Sequence, residues 1–245
     1  MGAELAEGSK RLSEKYGGKD FAIHSKGLEL AAYEPRGAVG QGLGYAVSNR
    51  GGCHLNAGYA VLMEGLGLAA DPHTPHGKPD LVMLLQDLTE TVSSAGQCLF
   101  TVYPVLPAPL IANPNAFYSK AVNKVLPYCG AVLRAINVKP EIASINVSLV
   151  PQTKGFEYIT GMKMNLGSYA KHGERGYNLE RSLDAMFGIT GKDDTLPARL
   201  TDELQNPSDP DSKVPLEQMK KVYYKARGWN AQGLPTVKKL HSLQL

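Results

Sequence analysis

Apolar residues recur at helical spacing along much of the chain. In residues 78–97 they occupy positions i, i+3, i+4, i+7 and i+11, one stripe of a helix: Leu81, Leu84, Leu85, Leu88 and Val92. Similar spacing predicts a helix ending before Gly188, with Leu179, Leu183, Met186 and Phe187, and another between Pro215 and Gly228, with Leu216, Met219, Tyr223 and Ala226. Few runs alternate as strands do. The pattern predicts a mainly α, multihelical fold with no major sheet.

Glycine and proline divide the rest of the chain. The remaining predicted helices are residues 3–16, ending at Gly17-Gly18, residues 115–136, interrupted by Pro127, and a short last helix after Pro235. The predicted non-helical stretches are 21–33, with strand character, the prolines at 104, 107 and 109, which forbid helix until about Asn113, and a long surface loop over 191–212.

Residues 36–50 combine helical spacing with four glycines. Each glycine weakens a helix by about 1 kcal/mol, so their presence predicts close backbone packing, with something large against the glycine face. The pattern Gly37-x-x-Gly40-x-Gly42 also resembles a nucleotide-binding loop. That loop must follow a buried strand, and residues 33–36 do not form one, so nucleotide binding is disfavoured.

Composition narrows the class of protein. The 245 residues are 43% hydrophobic and 20% charged, with a net charge of +3, which gives no sign of nucleic-acid binding. No stretch approaches the roughly 20 apolar residues of a membrane helix, and a polar start at 1–10 predicts no secretory signal. Three widely spaced cysteines do not form a disulfide framework, which favours a cytoplasmic location.

Individual cysteines and histidines offer incomplete sites. Cys53 and His54 could act as nucleophile and base, but adjacent residues on a helix point about 100° apart, so a packed cysteine beside one functional or structural histidine is favoured. His73 and His76 lack the further ligands that zinc needs and read as a solvated loop. Cys98 lies at the end of the helix with the leucine stripe, and a lone cysteine is more often buried and unreactive than a metal ligand. Cys129 lies among apolar residues and is predicted to belong to the core.

Residues 171–181, KHGERGYNLER, are dense in charge and contain two glycines. A solvated helix face is the default interpretation of such a run. Glu174 and Arg175 next to the glycines instead indicate contacts between elements. In that interpretation Glu174, Arg175, Asn178 and Arg181 brace helices against one another, through arginine–carboxylate pairs and packing of Trp229.

Five stretches together resemble the carboxy-terminal region of the tungsten-containing aldehyde ferredoxin oxidoreductase family. In order they are residues 3–54, 93–100 (SSAGQCLF), 173–189 (GERGYNLERSLDAMFGI), 193–200 (DDTLPARL) and 227–243 (RGWNAQGLPTVKKLHSL). The resemblance implies a helical region over 1–245 that covers a cofactor held by an absent amino-terminal β domain. It implies a tungsten or molybdenum bis-pterin, a 4Fe–4S cluster, an aldehyde substrate and ferredoxin as the electron acceptor.

The family's D-x-x-G-L-C motif matches residues 93–98. The resemblance makes Cys98 the fourth cluster ligand and Gly96 the glycine of the motif, whereas Ser93 and Gln97 replace the family's aspartate and leucine. A serine hydroxyl can hydrogen-bond a pterin but cannot be an anionic acceptor. The other three cluster cysteines belong to a CxxCxxxC stretch that these residues lack, so a further domain or a separate subunit must carry it.

His54 falls where the family has a histidine beside the metal, which implies a proton-transfer role. Asn49 and Arg50 either face the cofactor or cap their segment, and the glycine-rich face is expected to cover the cofactor. Three alternatives stay open: a non-catalytic helical module that joins a cofactor-binding subunit, part of a related aromatic thioester reductase, and a hydrolase using Cys53 and His54. The hydrolase is the weakest, because no orienting carboxylate is recognisable.

Overall fold

The computed structural model describes residues 2–66, 70–101, 113, 115–139 and 151–245, which are mostly helical. Its α-helices are α1 (Gly2–Leu5), α2 (Gly8–Tyr16), α3 (Val39–Val47), α4 (Lys78–Ser94), α5 (Phe117–Val125), α6 (Gly130–Val138), α7 (Pro151–Thr160), α8 (Leu166–Met186), α9 (Ala198–Thr201), α10 (Leu216–Arg227) and α11 (Val237–Leu243). Strands β1 (His24–Ser25) and β2 (Leu28–Glu29) pair antiparallel, with His24 opposite Glu29. The predicted mainly α, multihelical class is confirmed.

Several helix ends lie where the sequence predicts them. Gly228 adopts φ +71° after α10, and Thr236 accepts a hydrogen bond from the Lys239 amide to begin α11. The stretch around Pro127 is helical on both sides, with a 3-10 turn at Leu126–Cys129. The strand character expected over 21–33 appears as the small hairpin.

Other predicted boundaries are wrong. The first helix is two helices, broken before Gly8, whose φ of +85° does not continue a helix. Helix α4 stops at Ser94 rather than running to 97. The loop predicted over 191–212 contains α9 and buried residues such as Asp194, so it is not simply a surface loop. Helix α7 lacked a clear periodic signal, and the prolines at 104, 107 and 109 lie outside the described residues.

The main core lies between α3, α4, α8 and α10. Its fully buried members include Leu43 of α3, Met83 of α4, Tyr177 of α8 and Met219 of α10. Trp229, directly after α10, stacks on Tyr177 with ring centroids 6.3 Å apart. A large aromatic ring in this position joins the segment after α10 to α8.

The glycine face of α3 is filled by the chain itself. A Cβ added to Gly44 would come within 2.6 Å of the Ala57 carbonyl oxygen, so the predicted close backbone packing is confirmed. At the start of the helix, the buried Glu64 carboxylate accepts hydrogen bonds from the amides of Gly40 (2.7 Å) and Gln41 (2.8 Å). Lys78 pairs with the same carboxylate at 2.7 Å. The expectation that this face covers a cofactor is therefore wrong, and the amides that would hold a nucleotide phosphate bind Glu64 instead.

Helices α4 and α8 cross at very short range. A Cβ added to Gly173 of α8 would lie 1.7 Å from the Asp87 carbonyl oxygen of α4. Thr91 of α4 donates a hydrogen bond to the Tyr169 carbonyl of α8 at 2.6 Å. Glycine is needed at 173 because no side chain fits between the two backbones. Within the described residues, no helix has the length and apolar content required to cross a membrane.

Candidate functional site

The segment that follows α3 is a fixed loop. The Asn56 side-chain oxygen accepts hydrogen bonds from the Ser48 hydroxyl at 2.8 Å and from the Asn49 amide at 3.0 Å, which closes residues 48–56 into a turn. Gly58, at φ +78°, sits on α4, where an added Cβ would meet the Gln86 amide at 2.9 Å. Backbone held at both ends positions the residues between them.

His54 lies in this loop between two tyrosine rings. Its ring centroid is 5.7 Å from that of Tyr33 and 5.0 Å from that of Tyr59, the latter edge-on. Burial lowers the pKa of His54 below its ordinary value of 6.5, so the imidazole is neutral at pH 7. Tyr59 has φ +54°, a strained conformation for an aromatic residue. Such strain is often found beside functional groups.

Asn49 and Arg50 connect the loop to α8 and α4. The buried Asn49 donates from its amide nitrogen to the Tyr177 carbonyl (3.0 Å) and to Glu180 (3.2 Å). Its side-chain oxygen has no hydrogen-bond partner among the described residues. Arg50, with 43% of its side chain exposed, lies 3.6 Å from Glu180 and 4.0 Å from Glu90. Both residues thus brace the loop, and each keeps unused hydrogen-bonding capacity.

The end of α4 is shaped by Gly96. At φ +69°, Gly96 donates its amide to the Ser93 carbonyl at 2.9 Å, and Gln97 donates to the Val92 carbonyl at 3.1 Å. These two bonds make a Schellman motif, whose residue after the glycine usually packs on the helix. Here that residue is Gln97, which is exposed. The turn leaves Ser93 half-buried and Cys98 exposed.

The His54 loop and the Cys98 turn meet in one apolar cluster. Leu99, directly after Cys98, is buried with Val92 and Tyr169, and Leu55, directly after His54, packs against the same cluster. The described contacts therefore bring the neighbours of the two candidate residues together at the carboxyl end of α4. Of the residues that the sequence singled out, His54, Ser93, Gly96, Gln97 and Cys98 belong to this region.

Helix α4 buries two carboxylates with raised pKa values, which the sequence pattern did not predict. Burial, reinforced by the charge of Glu180, raises the pKa of Glu90 to about 7. Burial also raises the pKa of Asp87 to about 7, although the guanidinium of Arg227 opposes the shift. Both residues fall outside the leucine stripe, on what the pattern reads as a polar, solvated face. The two glycines in 171–181 were the one feature of the sequence that could have indicated this burial, because they allow α8 to pack closely on the polar face of α4.

The charges of 171–181 brace elements, as one interpretation of the sequence predicted. Arg181 is fully buried and forms a two-bond pair with Asp194, at 3.0 and 2.7 Å. Asn178 accepts a hydrogen bond from the Trp229 indole at 2.7 Å, and Glu174 pairs with Lys239. Arg175 is exposed and forms no such pair with another of the described residues.

The remaining candidates assemble no site in the described part of the chain. The His73 ring approaches the Asp209 carboxylate at 3.9 Å, and no group of three metal-binding side chains occurs among the described residues. The Cys53 thiol accepts a hydrogen bond from the Asn56 amide at 3.5 Å, which favours a packed cysteine over a nucleophile. Cys129 is half-buried rather than core.

Comparison with known proteins identifies the family. The model of "Aldehyde ferredoxin oxidoreductase, domains 2 & 3" matches residues 1–245. The chain is 36% identical over 248 residues to the tungsten-containing aldehyde ferredoxin oxidoreductase of Pyrococcus furiosus, covering 99% of this chain and 34% of that protein. It is 35% identical over 238 residues to the Thermococcus kodakarensis enzyme of the same name, covering 95% and 32%. The chain belongs to the aldehyde ferredoxin oxidoreductase family, and it spans about a third of the length of these relatives.

Proposed function

From this membership, we propose that the chain is the part of a tungsten-containing aldehyde oxidoreductase that covers the cofactor and contributes one ligand to its 4Fe–4S cluster. The complete enzyme oxidises aldehydes to carboxylates and passes electrons to ferredoxin, and the isolated 245 residues are inactive. The observation that supports this most is the meeting of the His54 loop and the exposed Cys98 turn through Leu55 and Leu99.

Cys98 fits the role of a cluster ligand. Thiolates hold iron–sulfur clusters, and the exposed Cys98 follows a turn fixed by Gly96 and the buried Leu99. Cys53 and Cys129 are half-buried and lie in other elements. Because a cluster of this kind takes four thiolates, the proposal requires the other three from a CxxCxxxC segment outside these 245 residues.

His54 fits a proton-transfer role. A neutral imidazole at pH 7 can take a proton at one nitrogen while the other donates. The two flanking tyrosine rings restrict the orientation of the His54 ring. When bound, the tungsten–pterin group and the cluster supply the two-electron oxidation. His54 accepts the proton that is transferred with it.

Contacts to the pterin are assigned to the polar residues around this region. The Ser93 hydroxyl and the partly exposed Arg50 guanidinium can donate hydrogen bonds to a pterin or its phosphate. The Asn49 side-chain oxygen, which has no partner among the described residues, can accept one from a pterin N–H. Gly96 and Gln97 place their backbone at the exposed turn. Ser93 makes a neutral contact where the family motif has a charged one.

The exposed face of α8 supports the existence of a covering domain. Four large apolar side chains on this face are 52% to 82% exposed: Leu179, Leu183, Met186 and Phe187. An apolar surface of this kind marks an interface. Since the relatives are about three times as long as this chain, we assign the surface to the cofactor-binding part, whether it is joined to this chain or is a separate subunit.

A second function is favoured by one specific observation. The substitutions at Ser93 and Gln97 weaken the pterin motif, as expected for a non-catalytic helical subunit that assembles with a cofactor-binding partner. A related reductase that acts on an aromatic thioester would have the same helical features. The helices therefore do not distinguish the two substrate classes, and activity assays must do so. The catalytic proposal requires the cluster to depend on Cys98, and the non-catalytic one does not.

The test is anaerobic elemental analysis of two samples. We expect no stoichiometric tungsten or iron in the purified chain alone. We expect about one tungsten and four irons per chain in the assembly isolated from its native cells through a tag on this chain. Cys98→Ser should lose the iron and the visible absorption of the assembly, whereas the matched Cys129→Ser should keep both. Retained iron in Cys98→Ser would exclude this cysteine as a ligand.

Activity is measured on the same assembly. We expect aldehyde-dependent reduction of ferredoxin, and we expect His54→Gln to lower kcat while leaving the tungsten and iron content unchanged. An assembly with full metal content and unchanged kcat in His54→Gln would remove His54 from the proton-transfer step. Reduction of an aromatic thioester, without aldehyde oxidation, would favour the thioester reductase.

A further inference from the structure

A basic cleft lies along α10, beside the segments 190–192 and 229–232. It has a volume of about 770 Å³, within the range of small-molecule sites. One wall is α10, with Lys221 and Lys225, and the other is formed by residues 190–192 and 229–232. Neither the family assignment nor the proposed function uses this cleft.

The charges of the cleft are unbalanced. Glu217 pairs with Lys220 at 2.8 Å, so these two lining residues neutralise each other. Lys192, Lys221 and Lys225 are exposed, and none of them has a carboxylate within 4.0 Å among the described residues. The neighbouring Asp193 turns its carboxylate back to accept the Thr190 amide at 2.8 Å. Three lysines without a carboxylate partner among the described residues therefore line one concave surface.

The two loops of one wall are joined to each other, and the segment that follows the first loop is joined to α10. The Gly191 amide donates to the Gln232 carbonyl at 2.7 Å, and the buried Lys220 donates to the Asp194 carbonyl at 3.0 Å. Gly233, at φ +70°, allows the two loops to approach, since an added Cβ would lie 2.9 Å from Gly191. The cleft is thus already formed before any ligand binds, which reduces the entropy lost on binding.

We propose that this cleft binds a small molecule carrying two or more phosphate or carboxylate groups. Lysine is a common binder of such anions, and three ammonium groups on two walls suit a ligand with several charges rather than one. A long acidic protein surface is disfavoured, because the charges line a concavity rather than a flat face.

The test is isothermal titration calorimetry of the full chain with tripolyphosphate, with citrate, and with acetate as a single-charge comparison. We expect saturable binding of one or both multivalent anions, weakened by salt, and no saturable binding of acetate. Trp229 lines the cleft and is the only tryptophan of the sequence, so its fluorescence should change over the same concentration range. Tripolyphosphate binding alone would indicate a phosphate ligand, and citrate binding alone a carboxylate ligand.

Matched variants locate the binding. Lys221→Gln with Lys225→Gln should weaken binding at least about tenfold, as the loss of two charge-assisted contacts predicts. Lys192→Gln, on the opposite wall, should also weaken it. The control is Lys120→Gln with Lys124→Gln, which removes two exposed lysines at the same spacing from α5. The absence of saturable binding, or equal weakening by the control, would overturn the proposal.

Discussion

Among the glycines of the described residues, Gly173 is the position where an added methyl group should lower the stability of the fold most. An added Cβ would lie 1.7 Å from the Asp87 carbonyl oxygen, 2.6 Å from its carbon and 2.7 Å from the Thr91 hydroxyl. Since ordinary contacts begin near 3.4 Å, α4 and α8 must move apart by more than 1 Å. The Thr91 hydroxyl holds the Tyr169 carbonyl at 2.6 Å across this crossing, and that bond would break.

The expected loss of folding free energy combines two unfavourable contributions with one favourable contribution. Overpacking a core costs about 1–3 kcal/mol, and a lost buried hydrogen bond costs about another 1 kcal/mol. Alanine regains about 1 kcal/mol over glycine in a helix interior. We therefore expect Gly173→Ala to lower the free energy of unfolding by about 1–3 kcal/mol, measured by urea denaturation with circular dichroism.

Two other helical glycines calibrate the result. Gly155→Ala in α7 meets nothing within 4 Å, so it should raise stability by about 0.5–1 kcal/mol. Gly176→Ala meets only the side chains of Glu90 and Ser94, at 3.2 Å, and should fall between the two. If Gly173→Ala is as stable as Gly155→Ala, the close crossing of α4 and α8 is not present in solution.

Two buried carboxylates give further predictions. The folded chain keeps a proton on Glu90 up to about pH 7, whereas the unfolded chain releases it near the ordinary pKa of 4.5, so this group lowers stability as pH rises between these values. Glu90→Gln should remove that slope and be more stable than the parent by about 3 kcal/mol at pH 8 but not at pH 4, measured by urea titrations at both pH values. An equal difference at the two pH values would contradict this. Asp194→Asn leaves Arg181 and Lys26 buried without their anion, and should lower the free energy of unfolding by about 3–5 kcal/mol. The exposed Asp193→Asn is the control, and a similar loss in both variants would refute the role of the buried pair.

Local patterns of the sequence predict the helices well, because spacing, capping and turn residues act over a few positions. Gly228 ends α10 and Thr236 begins α11 for reasons visible in the adjoining residues. The break before Gly8 and the early end of α4 were missed, since they depend on backbone geometry at single glycines. The family resemblance supplied Cys98 and His54 as candidates. Their common location depends on packing between Leu55 and a cluster far along the chain, which spacing does not reveal.

In α8 the spacing of apolar residues predicts the helix but not which of its faces is buried. Leu179 and Leu183 predict the helix, yet this apolar face is exposed, and the opposite face buries Glu174, Asn178 and Arg181. The polar face is stable inside because each of these groups has a partner from a later segment of the chain: Lys239 for Glu174, Trp229 for Asn178 and Asp194 for Arg181.

Those partners are 13 to 65 positions away, so the pairing cannot be read from spacing along one helix. An apolar stripe indicates only that a helix face is covered by something, not that the same chain covers it. In this chain the interior face of α8 is specified by charge and hydrogen bonding, while its leucines are exposed among the described residues. This division is the one expected if α8 packs on the cofactor-binding part proposed above, and the Pyrococcus furiosus and Thermococcus kodakarensis relatives are about three times as long as this chain.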